Sequence, residues 1–143
     1  MRAIEEGRGL EKLLKLAKAR VEEETIRIRD LEMARKNVAA SIDALDSKIA
    51  TEQRVAAADA RIMMDLKNFL GGAAEKRLTL LSTLDGLAEE ISSGEKDLAS
   101  AFTEMKKLEH LVDLAHDTKK RQSAKFELEQ LDEAASRMNA ARR

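Results

Sequence analysis

The chain has 143 residues, of which 37% are charged and 2% aromatic, and it contains no Trp, Tyr, Pro or Cys. Its 26 basic and 27 acidic residues leave a net charge of −1, which excludes a global electrostatic attraction to nucleic acid or anionic membranes. The lack of Cys excludes disulfides and thiolate metal sites and suits a reducing compartment. We expect a single domain over residues 1–143 with the composition of a long helix or coiled coil.

The N-terminal sequence, MRAIEEGRGLEKLL, is charged and lacks an apolar core, so we expect no signal peptide. No run approaches the roughly 18 apolar residues that a membrane-spanning helix needs. We therefore expect no direct membrane insertion.

The first half of the chain carries a long apolar repeat. Alternating steps of four and three residues from Leu10 to Leu70 land on apolar side chains at all but four positions. A heptad repeat of this length predicts a coiled-coil seam and a first helix over about residues 9–70. The four polar positions are Glu24, Arg35, Glu52 and Asp59.

The double glycine Gly71-Gly72 lies at the midpoint of the chain. Glycine ends helices readily because it adopts the left-handed conformation without a Cβ penalty. The sequence therefore predicts a turn at Gly71 and Gly72. The segment 57–61, AADAR, is the alternative turn, although it has no obvious helix breaker.

The second half also has helical periodicity, which predicts a second helix over about residues 73–138. Its repeat runs from Leu81 to Met105, shifts to a set that ends at Phe126, and shifts again near the C-terminus. Each shift indicates a local change of supercoil. The last set comprises Leu128, Leu131, Ala135 and Met138.

Two amphipathic helices of similar length predict an all-α fold, a long two-helix antiparallel coiled-coil hairpin. A turn at residues 71–72 would place residue i opposite residue 143 − i. The rival architecture is one bent helix that dimerises in parallel. The predicted cross-helix pairs are Leu45 with Leu98, Ala17 with Phe126, Glu24 with Lys119, and Arg35 with Glu109.

No catalytic or metal site is predicted. His110 and His116 are six residues apart, or roughly 120° around a helix, so one metal ion would need ligands from another segment. No nucleophile–base pair or phosphate-binding loop is recognisable in the sequence. We expect no enzymatic activity and no cofactor.

A basic cluster follows Asp117, with no acidic residue until Glu127. In the predicted register this cluster lies beside Lys12, Lys15, Lys18 and Arg20. The cluster is either a solvated face balanced by nearby acids or a docking surface for an acidic partner. Nucleic acid is a third possibility, but the chain has no Tyr or Trp on which bases could stack. The cluster, called here the basic block, consists of Lys119, Lys120, Arg121 and Lys125.

Residues 104–137 resemble the C-terminal region of the FliJ family of flagellar export proteins. The resemblance rests on a segment around Lys106-Lys107 and on a second segment about twenty residues further along. The run Leu10-Glu11-x-Leu13-x-x-Leu16 also resembles the first helix of that family. The motif positions are Leu108, Glu109, Leu111, Leu131, Asp132, Glu133 and Ala134.

The resemblance implies a cytoplasmic antiparallel coiled coil, peripheral to the inner-membrane export apparatus. Family members resemble the central stalk of rotary ATPases. Their partners are the flagellar export ATPase ring, the cytoplasmic domain of the export gate, and export chaperones. Their turn often lies before the midpoint of the chain, which implies a turn ahead of Phe69. We expect ring contact from Lys18, Arg20, Lys119, Lys120, Arg121 and Lys125.

Three other roles stay open. One is the equivalent stalk of a virulence-type secretion system, which the sequence hardly separates from a flagellar one. Another is a generic dimeric coiled-coil adaptor, and the third is a nucleic-acid-binding rod.

Overall fold

The computed structural model describes residues 2–142, with the surroundings of side chains described from Glu5 to Arg142. Helix α1 spans Arg2–Ala58, a short 3₁₀ helix spans Ala60–Ile62, and helix α2 spans Met63–Ala141. The two long helices contact each other within one chain as a two-helix hairpin. The predicted all-α fold is therefore confirmed.

The turn between the helices centres on Asp59. Its backbone leaves the helix with φ −143° and ψ 110°, an extended conformation that any residue adopts. The Asp59 carboxylate accepts a hydrogen bond from the backbone N–H of Arg61 at 3.0 Å, as helix-capping Asp residues do. The Ile62 N–H also donates to the Asp59 carbonyl at 3.2 Å. A side-chain cap at Asp59 thus ends α1 in place of the predicted glycine turn.

The predicted turn at Gly71 and Gly72 is wrong, because both glycines lie inside α2. No described glycine has a positive φ, so the turn does not use the conformational freedom of glycine. The segment 57–61 contains the turn instead. The predicted helix bounds of 9–70 and 73–138 are wrong for the same reason, since α1 ends at Ala58.

The seam of α1 follows the predicted repeat as far as the turn. Positions from Leu10 to Ala56 on that repeat are buried or half-buried, with Arg35 as the exposed exception. Beyond Ala58 the repeat holds only in part, because Met63 is 58% exposed whereas Leu66 and Leu70 are half-buried. In α2 the seam positions are partly different from the predicted set and include the buried Ala73, Gly94 and Ala101 and the half-buried Leu87.

Helix contacts fall into two units. The first unit, residues 23–99, contains the turn and the core residues Ile42, Leu45, Ala56, Ala73 and Ile91. Arg77 donates to Asp46 across its seam at 2.9 Å, and Arg27 lies 3.8 Å from Asp97. These pairs establish that residue 46 lies level with residue 77, a register different from the predicted one.

Gly94 marks a close approach of the helices within this first unit. A Cβ atom added at Gly94 would lie 3.2 Å from Cγ1 of Ile28, closer than ordinary van der Waals contact. The missing side chain of Gly94 therefore lets the two helices approach closely at this point of the seam.

The second unit comprises the start of α1, up to Glu22, and the part of α2 from Ser100 onward. Its core residues are Ala17, Ala101 and Val112. Phe126, which was predicted to pack on Ala17, is instead 59% exposed. The predicted pairs of Glu24 with Lys119 and Arg35 with Glu109 are wrong too. Glu24 and Arg35 lie near Arg27 and Glu32 of their own helix.

Candidate functional site

The C-terminal part of α2 is the most exposed part of the described chain. Every residue from 116 to 142 is exposed, whereas Val112 and Ala115, just before this stretch, still pack into the seam. The apolar side chains Phe126, Leu128 and Leu131 are 59%, 62% and 67% exposed. We call residues 117–141 the exposed stretch of α2.

The basic block lies at the start of this exposed stretch. Lys119, Lys120 and Arg121 are consecutive, and Lys125 follows one helical turn after Arg121. All four side chains are exposed, so they carry their charge at the surface. An acidic set follows it directly and consists of Glu127, Glu129, Asp132 and Glu133.

Lys18 and Arg20 do not join the basic block. In the second unit Glu11 lies beside His116, so Lys18, seven residues further along α1, is level with about residue 109 of α2. At 1.5 Å per helical residue, that level is about 15 Å from Lys119. Lys18 and Arg20 therefore form a second basic area, displaced along the helices from the basic block.

A polar groove near the start of the exposed stretch was not predicted. Its volume is about 190 Å³, and Arg8, Glu11, His116 and Lys119 supply its polar side chains. Nε2 of His116 lies 3.3 Å from Oε1 of Glu11, with both side chains more than half exposed. The contact of His116 with Glu11 was not predicted, because only the observed register shows which α1 residue His116 meets.

The positions that carry the family resemblance differ in exposure. Leu108 and Glu109 are half-buried, and Glu109 accepts from Lys106 on its own helix at 3.0 Å. Leu111 is 44% exposed. Leu131 and Asp132 are exposed, and Glu133 accepts from Arg137 at 2.9 Å.

Two of the open grooves in the first unit have volumes above 500 Å³. One, of about 540 Å³, runs past Phe69, where the ammonium group of Lys48 lies 5.5 Å from the ring centroid. The other, of about 660 Å³, follows the turn and exposes Met63 and Met64. The first groove is lined by residues of both helices, whereas the second is lined by the turn and the start of α2.

Charged groups of the described chain lie mostly at the surface. The hydrogen bond to Asp46, followed by charge attraction, raises the pKa of Arg77, which stays a cation throughout. Among residues with described side chains, no group of three or more His, Cys, Asp or Glu could hold a metal ion. Neither helix contains an apolar stretch that could cross a membrane, as far as residues 2–142 are described.

Comparison with known proteins identifies no relative. No family model matches the chain, and neither a curated protein nor a solved structure is significantly similar to it.

Proposed function

We propose that this protein is a non-catalytic coiled-coil stalk of a type III export apparatus, of the flagellar kind. It would dock into the ring of the export ATPase, link that ring to the cytoplasmic domain of the export gate, and escort export chaperones. The resemblance of residues 104–137 to the FliJ family suggests this role.

The observation that carries the proposal is the exposed stretch of α2. It follows Val112 and Ala115, which pack into the seam, and it contains the basic block together with Leu131, Asp132 and Glu133 of the family resemblance. A helix with four surface cations within seven residues suits a partner surface of opposite charge. The turn at Asp59 also agrees with the position ahead of Phe69 that the resemblance implies.

The test measures ATP hydrolysis and hexamer assembly of the host's flagellar export ATPase with and without this protein. We expect both to increase when the protein is added. Replacing the four cations of the basic block by Glu should abolish the increase and leave the helical circular dichroism unchanged, because all four side chains are exposed.

A matched control reverses four exposed cations of the first unit, namely Arg29, Lys36, Arg54 and Lys96. This control has the same net charge as the basic-block variant and should still stimulate the ATPase. A separate variant with Lys18→Glu and Arg20→Glu determines whether the second basic area contributes. Equal stimulation by the basic-block variant and the wild type would reject ring contact through the basic block. Absence of any complex with the ATPase would reject the stalk function.

The virulence-type secretion stalk is the runner-up, and the same assay with the ATPase of such a system separates the two. A generic coiled-coil adaptor remains if neither ATPase responds.

A further inference from the structure

The exposed stretch of α2 has an apolar face that α1 does not use. Leu128, Leu131 and Met138 are 62%, 67% and 65% exposed. Together with Ala124 and Ala135 they follow steps of four and three residues, the spacing of a coiled-coil seam. We call these five residues the Leu128 face.

The Leu128 face lies on the far side of α2 from α1. Ala115 still packs towards α1, and a helix turns about 100° per residue. The nine residues from Ala115 to Ala124 therefore bring the chain about half a turn around the helix. Phe126 points away from the Leu128 face for the same reason.

We propose that the Leu128 face binds the same face of a second copy of this chain, with the two α2 helices antiparallel. This inference goes beyond the export function and does not depend on it. The charged residues that flank the face favour a second copy of this chain as the partner and favour the antiparallel orientation of its helix.

Two charged residues flank each side of the Leu128 face. Lys120 and Glu127 lie on one side, and Lys125 and Asp132 lie on the other. In a parallel pair, a flanking residue meets the residue five positions further along the other helix. Lys120 would then meet Lys125, and Glu127 would meet Asp132, so both contacts would repel.

An antiparallel pair removes this repulsion. When Leu128 lies opposite Leu131 of the second copy, Ala124 lies opposite Ala135, Lys125 lies beside Asp132, and Met138 lies opposite Arg121. The two-fold axis repeats each contact, so the pair has two Leu–Leu layers, two Ala–Ala layers and two Lys125–Asp132 ion pairs. Self-complementarity of this kind is what a symmetric dimer of identical chains requires.

The experiment is sedimentation equilibrium of the full chain from about 1 µM to about 300 µM, a range that covers weak association. We expect a monomer–dimer equilibrium. The double variant Leu128→Glu and Leu131→Glu should remain helical by circular dichroism and raise the dimer Kd at least tenfold. The matched control Phe126→Glu changes an equally exposed apolar residue on the other side of α2 and should leave the Kd unchanged.

Charge reversal tests the direction of the pair. Lys125→Glu should raise the Kd roughly fivefold because it places two acids together at each of two symmetric contacts, and Asp132→Lys should do the same. Combining the two substitutions should restore the wild-type Kd. In a parallel dimer, Lys125→Glu would instead lower the Kd, because it would meet Lys120.

A monomer at every concentration would overturn the proposal, as would a dimer that tolerates Leu128→Glu with Leu131→Glu. A dimer that Lys125→Glu strengthens would overturn the antiparallel arrangement. Each of these results is independent of the export ATPase.

Discussion

Replacing Gly71 and Gly72 by Ala tests the position of the turn directly. In the structure both residues lie within α2, both are exposed, and a Cβ atom at either would have no neighbour within 4 Å. Glycine in a helix interior is less favourable than alanine because it loses more conformational entropy on folding. We therefore expect the double substitution to stabilise the protein.

The expected gain follows from helix propensity. Each Gly→Ala change in an exposed helix interior contributes about 1 kcal/mol, so the double variant should gain about 2 kcal/mol in its free energy of unfolding. For a chain of this length that corresponds to a rise in Tm of about 6–8 °C. A turn at these glycines would give the opposite sign, since alanine in the left-handed conformation costs about 1–2 kcal/mol per residue.

The assay is urea and thermal unfolding followed by circular dichroism. Gly94→Ala is the matched control, because Gly94 also lies inside α2 but its added Cβ would crowd Ile28 at 3.2 Å. We expect this control to gain less than Gly71→Ala alone. A double variant at Gly71 and Gly72 that is less stable than the wild type would refute the helical placement of both glycines.

Cysteine pairs test the helix register, since the chain has no native cysteine. The pair Asp46→Cys with Arg77→Cys should link within one chain through a short thiol cross-linker, because the wild-type side chains are 2.9 Å apart. The pair Leu45→Cys with Leu98→Cys should not link, because in the observed register the two residues are about 30 Å apart along the helix axis. Efficient linking of the second pair alone would contradict the observed register. The cap at the turn gives a third prediction: Asp59→Ala should cost about 1 kcal/mol of stability and Asp59→Asn much less, because only Asn keeps an oxygen that can accept from Arg61. Equal unfolding midpoints for the Ala and Asn variants would show that the cap contributes nothing.

Because the helix register was not predicted correctly, the neighbours of each candidate site residue could not be predicted either. The basic block was recognised from its sequence, and its exposure agrees with a charged surface. Its predicted neighbours, Lys18 and Arg20, were displaced because an error in the turn shifts every cross-helix pair. The groove between Glu11 and His116 was missed for that reason, since neither residue has an unusual sequence context.

The sequence by itself determined the all-α fold and most of the seam of α1. Periodicity is a local property, and apolar residues every three to four positions can be buried only on one face of a helix. The position of the turn was decided by tertiary structure. An apolar seam continues through Gly71 and Gly72 to Ala73, and packing of that seam outweighs the low helix propensity of two glycines. Which part of α2 packs on α1, and which part stays exposed, followed from where the chain turns.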